Sequence, residues 1–261
     1  MLKRKGNYIG YYPIPENGRN SRTKVAPGLW NICEANILNK AGRWVNEPVD
    51  PYASNVLSQL RFEGAEGSTS IVDDIGTLTW NVSGASRIDT TNAKFGSSSL
   101  RGNYTNAEGY IYNTSDATSL GLGQDDWTLE FWFYRNNASD YGFASMWNAS
   151  NGLLLAVGKD GSQYRFYFDG GYTANGGTLA TGQWQHFALV RDSLLFRLYI
   201  DGQQILQLSR TDSLNVAQIR LGMGFQGAGL SYKNYDDFRF TKGVCRYPSG
   251  TQFLPPEALV P

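Results

Sequence analysis

The sequence predicts an all-β fold, and three observations carry that reading. The first is composition: 261 residues include 30 glycines, 16 tyrosines, 13 phenylalanines and seven tryptophans against three methionines, the profile of many short strands joined by tight turns. The second is a period of two in Tyr235-Asp236-Asp237-Phe238-Arg239-Phe240-Thr241-Lys242-Gly243. Phe238 and Phe240 alternate there with Asp237 and Arg239, as in a strand with one apolar and one charged face. The third is a pair of alternating runs, Gln185 to Val190 and Leu194 to Ile200, joined by Arg191-Asp192-Ser193. They predict a hairpin with Leu194, Phe196, Leu198 and Ile200 on one face.

In chain order, residues 1–28 read as an extended arm, because Gly6, Gly10, Pro13, Pro15, Gly18, Pro27 and Gly28 interrupt every periodic pattern. Lys3, Arg4, Lys5, Arg19, Arg22 and Lys24 stand against Glu16 alone, a net of +5 over residues 1–24. The remaining 17 basic and 22 acidic residues leave −5 on the body. An arm of this kind either remains solvated or docks on an acidic partner. The zero overall charge argues against non-specific nucleic-acid binding by the body. No apolar run follows Lys3-Arg4-Lys5 before Pro13, so no signal peptide is read. No segment approaches the ~20 apolar residues of a membrane span. Cys33 and Cys245 lack metal-ligand spacing and are read as thiols, consistent with synthesis in a reducing cytoplasm.

Residues 29–54 carry a short helix and a linker. Asn31 can cap it, Glu34 can return the hydrogen bond, Ile32, Ala35, Leu38 and Ala41 form one face, and Gly42 offers the stop. So short a helix is marginal alone, and Trp30 and Trp44 are expected to anchor it on the body or on a neighbouring subunit. The body spans 55–247. Leu60 and Phe62 open it; Trp127 to Phe133 places Leu129, Phe131 and Phe133 on one face and Thr128, Glu130 and Trp132 on the other. Asp160-Gly161 and Asp201-Gly202 turn the chain before Gln163 to Phe168 and Gln204 to Leu208. Residues 248–261 form a proline-rich tail.

Several of these segments occur in the order of a known family. Leu60-Arg61-Phe62-Glu63-Gly64-Ala65-Glu66-Gly67-Ser68-Thr69 resembles the opening strand and turn of laminin-G-like, concanavalin-A-like jelly rolls. Lys94-Phe95-Gly96-Ser97-Ser98-Ser99-Leu100 and Trp127 to Phe133 resemble its middle, and Trp184 to Gly202 and Tyr235 to Tyr247 its close. The variant is that of tailed-bacteriophage virion proteins, in which a segment like Pro27-Gly28-Leu29-Trp30 and the helix after it also occurs. The resemblance implies two antiparallel sheets face to face, with an apolar layer about 10 Å thick between them.

The same jelly roll carries β-glucan hydrolases, which place two carboxylates about 5 to 5.5 Å apart in a Glu-x-Asp-x-x-Glu strand motif. That motif is absent. Asp126 and Glu130 are read as solvated strand acids, His186 as a packed, hydrogen-bonded strand histidine, and no catalytic residue is assigned. The resemblance implies a possible structural calcium on loop acids, for which Asp73, Asp74, Asp236 and Asp237 are the candidates. Asp236 leads because it shares the parity of Phe238 and Phe240, and a buried carboxylate needs a partner. Glycan binding needs aromatic rings to stack on and amides nearby. Tyr104, Tyr110, Tyr112, Trp147, Tyr172 and Tyr232, in Asn- and Gly-rich settings, are the candidates, and the plainer reading, preferred on sequence alone, is that they cover sheet edges or meet other subunits. The first functional expectation is a non-enzymatic virion structural protein of capsid or tail, assembled in the host cytoplasm as a homo-oligomer and tied to other virion proteins by its arm. The alternative is a glycan-binding host-adhesion module of a tail fibre, and the third is a glycoside hydrolase.

Overall fold

A computed structural model of the chain describes residues 50–102, 109–114, 120–136, 142–168, 171–223, 233–248 and 252–256, with the side chains of 172–174 excepted. The expected arm and helix lie outside them, with Lys3, Arg4, Lys5, Arg19, Arg22, Lys24, Trp30 and Trp44. The described strands, in chain order, are β1 (Val56–Leu60), β2 (Thr79–Gly84), β3 (Arg87–Asp89), β4 (Ser99–Arg101), β5 (Gly109–Thr114), β6 (Trp127–Arg135), β7 (Gly142–Trp147) and β8 (Leu153–Asp160). They continue with β9 (Gln163–Phe168), β10 (Gly171–Gly176), β11 (Trp184–Asp192), β12 (Leu195–Ile200), β13 (Gln203–Ser209), β14 (Gln218–Leu221) and β15 (Lys233–Lys242). Two antiparallel sheets result. The first runs β13-β12-β11-β6-β15-β4-β3 with β1 also on β15; the second runs β10-β9-β8-β7-β14-β5-β2.

The inner faces meet in one aromatic core. Phe131 and Phe187 stack at 4.4 Å within the first sheet, while Phe143 and Phe168 of the second meet Phe133 at 5.2 Å and Phe196 at 5.0 Å, edge to face. Such offset and edge-on pairs suit the ring quadrupoles. The expected alternation in β6 holds, with Leu129, Phe131 and Phe133 fully buried in this core. The hairpin is corrected in detail. β11 and β12 pair as far as Asp192 and Leu195, so the turn is Ser193-Leu194, with Ser193 at φ 55°. Leu194 is therefore 44% exposed rather than on the core face.

β15 shares one edge between two partners. β4 pairs with Asn234 and Tyr235, and β1 pairs with Phe238 to Thr241. At the handover the register against β6 slips between Asp236, opposite Trp132, and Arg239, opposite Glu130. Asp237 takes φ 50° there, the signature of a bulge that inserts one residue and re-aims its neighbours. Parity therefore reverses: Tyr235, Phe238 and Phe240 face the core, and Asp236 points outward with Trp132, against the expectation that it shares their face.

That outward face is not solvated either, and nine of the ten residues of β15 are buried. The segment after β15 returns across it. Cys245 packs with Ala188, Val190 and Tyr199, and Tyr247 and Phe253 lie against the same cluster. Tyr247 and Phe253 stack at 3.7 Å with their planes 2° apart. The Phe253 amide donates to the Gly202 carbonyl at 3.0 Å. Gly202 has φ 75°, and a Cβ there would stand 1.8 Å from the Phe253 oxygen, so only glycine admits the crossing. Cys245 is a free thiol whose pKa burial pushes up to about 11.

Candidate functional site

The outer face of the second sheet gathers the loop aromatics. Ile111 and Ile219 face the core, so alternation turns Tyr110 and Tyr112 of β5 and Gln218 and Arg220 of β14 outward. The register places Asn81, Tyr112, Arg220, Ser145, Ala156, Tyr167 and Tyr172 in one lateral row across all seven strands. Trp147 lies opposite Gln218, one step along the strands. Tyr110, Tyr112, Trp147 and Tyr167 are each partly exposed. The side chain of Tyr172 and all of Tyr104 and Tyr232 lie outside the described residues.

Arg220 stands at the centre of this face, only 9% exposed. Its guanidinium carbon lies 4.1 Å from the Trp147 ring centre and 5.6 Å from that of Tyr110, within cation–π range. Nε donates to Gln218 Oε1, Nη2 donates to Asn151 Oδ1 at 2.9 Å, and Nη1 donates to Met223 Sδ at 3.4 Å. Asn151 is presented at φ 59° by a turn that Asn148 holds, its Oδ1 accepting from the amides of Ser150 at 2.9 Å and Gly152 at 2.7 Å. Trp147 Nε1 donates to Ser145 Oγ at 2.8 Å, which fixes the ring. Burial pushes the Arg220 pKa down. Arg220 was not among the candidates read from the sequence, where an arginine between core-facing Ile219 and Leu221 looks like any outward strand residue.

The four acids expected to hold calcium are not assembled into a metal site. Among the described residues no three His, Cys, Asp or Glu side chains gather to hold an ion. Asp73 accepts from the amides of Gln59, Ile75 and Leu78 at 3.0–3.1 Å, and Asp74 pairs with Arg61 at 2.9 Å. Asp237 is the bulge residue of β15. Asp236 accepts from the amides of Lys94 and Phe95 at 2.8 and 3.0 Å, tying that loop to β15 where its partner changes.

Burial is the main cause that raises the Asp236 pKa, to about 7, against the pull of those amides. A carboxyl raised in this way contributes stability that is fully present below its ordinary value near 4 and is lost as pH rises towards about 7. Asp236→Asn keeps an acceptor for the two amides and removes the titration. Its stability relative to wild type, measured by urea unfolding at a series of pH values, is expected to improve steadily between about pH 4 and pH 7. A difference independent of pH would refute the assignment.

Of the two acids expected to be solvated, Asp126 is partly exposed, whereas Glu130 is not, because the chain after β15 covers it. Asp126 accepts from the Ser193 amide at 2.6 Å and holds the β11–β12 turn. Glu130 is fully buried under the C-terminal segment, where Arg239 donates Nε and Nη2 to its Oε1 at 3.0 and 2.8 Å. The Tyr247 hydroxyl donates to Oε2 at 2.7 Å, and His186 Nε2 stands 3.3 Å from the same oxygen. His186 is fully buried on β11, packed as expected, but beyond that approach neither ring nitrogen makes a hydrogen bond, against the expectation of a hydrogen-bonded ring.

Residues 105–239 match the concanavalin A-like lectin/glucanases superfamily. The chain belongs to that superfamily. Among solved structures, the botulinum neurotoxin type G receptor binding domain is similar at 13% identity and a TM-score of 0.53, over 75% of this chain and 50% of that one. The serotype D binding domain is similar at 11% identity and 0.55, over 77% and 52%. Domain 4 of AbnA, a GH43 extracellular arabinanase from Geobacillus stearothermophilus, in complex with arabinotriose, is similar at 13% and 0.53, over 75% of this chain and 96% of that one. The chain thus spans about half the length of the neurotoxin domains and nearly all of the arabinanase domain. At such identities the likeness shows the superfamily's fold and nothing finer. No curated protein matches the chain.

Proposed function

We propose that this chain is a non-enzymatic carbohydrate-binding module, and that the outer face of its second sheet is the platform. One observation carries the reading: Tyr110, Tyr112 and Trp147, scattered over some forty residues of sequence, converge around Arg220 on one face with the side-chain amides of Gln218 and Asn151 beside them. Rings supply flat apolar area at low conformational cost, and fixed amides supply hydroxyl partners. The arabinotriose complex of the arabinanase domain, which has the same fold over nearly its whole length, supports a sugar ligand. The buried, ion-paired state of Glu130 supports the absence of hydrolysis. The wider setting is proposed to be a virion protein of capsid or tail, on the strength of the resemblance and of the +5 arm.

A glycan array probed with the full chain is the test. Trp147→Ala and Tyr112→Ala are each expected to weaken the strongest hits by more than ~1 kcal/mol, about fivefold or more, as anchor residues do, with the unfolding midpoint little changed. No reducing ends are expected to appear on incubation with bound polysaccharide. An array without hits, or hits untouched by both substitutions, would end this reading.

A further inference from the structure

Building on the carbohydrate-binding reading, we propose that the glycan taken by this face is acidic and that Arg220 receives its carboxylate. The fold gives each of its other buried arginines a carboxylate or a backbone carbonyl. Arg239 is paired with Glu130, Arg197 with Asp192 at 2.8 Å, Arg191 with three backbone carbonyls at 2.8–3.0 Å, and Arg135 with the Ala180 carbonyl at 2.9 Å. Arg220, 9% exposed against 0–6% for these, is the most accessible of them, and among the described residues no carboxylate or backbone carbonyl pairs with it. Its hydrogen-bond partners are one glutamine oxygen, one asparagine oxygen and a thioether sulfur. A guanidinium has five N–H donors in a planar fork, so these occupy three, one of them weakly.

Desolvating a charge without an opposite partner is costly, and the fall in the Arg220 pKa expresses that cost. The side chain is nevertheless held in place. Trp147 and Tyr110 fix its plane, while Gln218 and Asn151 fix its edge. The cost is repaid when a carboxylate meets the free part of the fork, in the bidentate geometry that suits arginine. A neutral sugar over the same rings would leave the charge unpaired. Sites that bury a polar group for a ligand discriminate strongly against analogues that cannot satisfy it.

The experiment uses the full chain and matched oligosaccharides: oligogalacturonate, its methyl ester, and the corresponding neutral galactan, with glucuronate and sialyl pairs treated in the same way. At least one acidic member is expected to bind tenfold or more tighter than both its ester and its neutral counterpart. Arg220→Gln should abolish that preference, whereas Tyr112→Ala should weaken acidic and neutral members together. Neutral or esterified members bound as tightly as every acidic one would overturn the proposal while leaving carbohydrate binding intact. Retention of the preference by Arg220→Gln would overturn it too. If Arg220→Gln does not fold, the comparison of acid with ester on the wild type decides alone. Binding to none of these, nor to any neutral glycan, would remove the carbohydrate reading and this inference with it.

Discussion

Replacing Glu130 with alanine is expected to destabilise the folded chain by about 3–5 kcal/mol, the range for breaking a buried ion pair from one side. The carboxylate is fully buried and Arg239, which donates two hydrogen bonds to it, is 5% exposed, so its removal strips a buried guanidinium of that ion pair. Burial works against ionisation of Glu130, but Arg239, His186 and the Tyr247 hydroxyl outweigh it and hold the carboxyl well below the usual range. A depressed carboxyl contributes stability that is fully present above its ordinary value of 4.5 and is lost as pH falls through the folded value. The wild type should therefore keep this contribution at neutral pH and lose it progressively in acid, and Glu130→Ala should show a flatter acid limb. The measurement is the urea midpoint at neutral and acid pH. A double variant, Glu130→Leu with Arg239→Met, should recover much of the loss, because an apolar pair of similar volume is often no less stable than a buried ion pair. A single-variant cost under ~1 kcal/mol would show that the pair is not buried as described.

What could be read from the sequence, and what could not, follows from the range of the interactions. Alternation within a strand is local, so β6, β9 and β13 were legible from Trp127, Gln163 and Gln204 onwards. The bulge at Asp237 was not, because it arises where β15 exchanges β4 for β1, strands more than a hundred residues away in the chain. The parity error over Asp236 follows from that one inserted residue. Likewise Tyr110, Tyr112 and Trp147 could be named as candidate rings, but their grouping depends on the register of β5, β14 and β7. Arg220 acquires its meaning only from that lateral register, since nothing within its own strand distinguishes it from a solvated arginine. The cover over the charged outer face of β15 was illegible for the same reason: it arrives from Tyr247 and Phe253, through contacts that no strand period announces.

The cover itself should prove to be part of the fold, and Tyr247 is the residue that tests it. Its hydroxyl donates to Glu130 Oε2 at 2.7 Å, its carbonyl accepts from the Tyr199 hydroxyl at 3.1 Å, and its ring stacks on Phe253. Tyr247→Phe keeps the ring and removes one hydrogen bond to a charged acceptor, for an expected loss of about 1.5–3 kcal/mol. Tyr247→Ala also removes the stacked ring, and ~3 kcal/mol or more is expected, at the lower end for aromatic truncation because the ring is partly exposed. Urea unfolding of both variants orders the two contributions. Equal costs would assign the whole effect to the hydroxyl, and costs below ~0.5 kcal/mol in both would mean that Tyr247 and Phe253 do not close the first sheet. Since the carbohydrate platform belongs to the second sheet, Tyr247→Phe should leave glycan binding unchanged while lowering stability. Trp147→Ala should do the reverse, and that opposition separates the face that holds the fold together from the face proposed to meet the ligand.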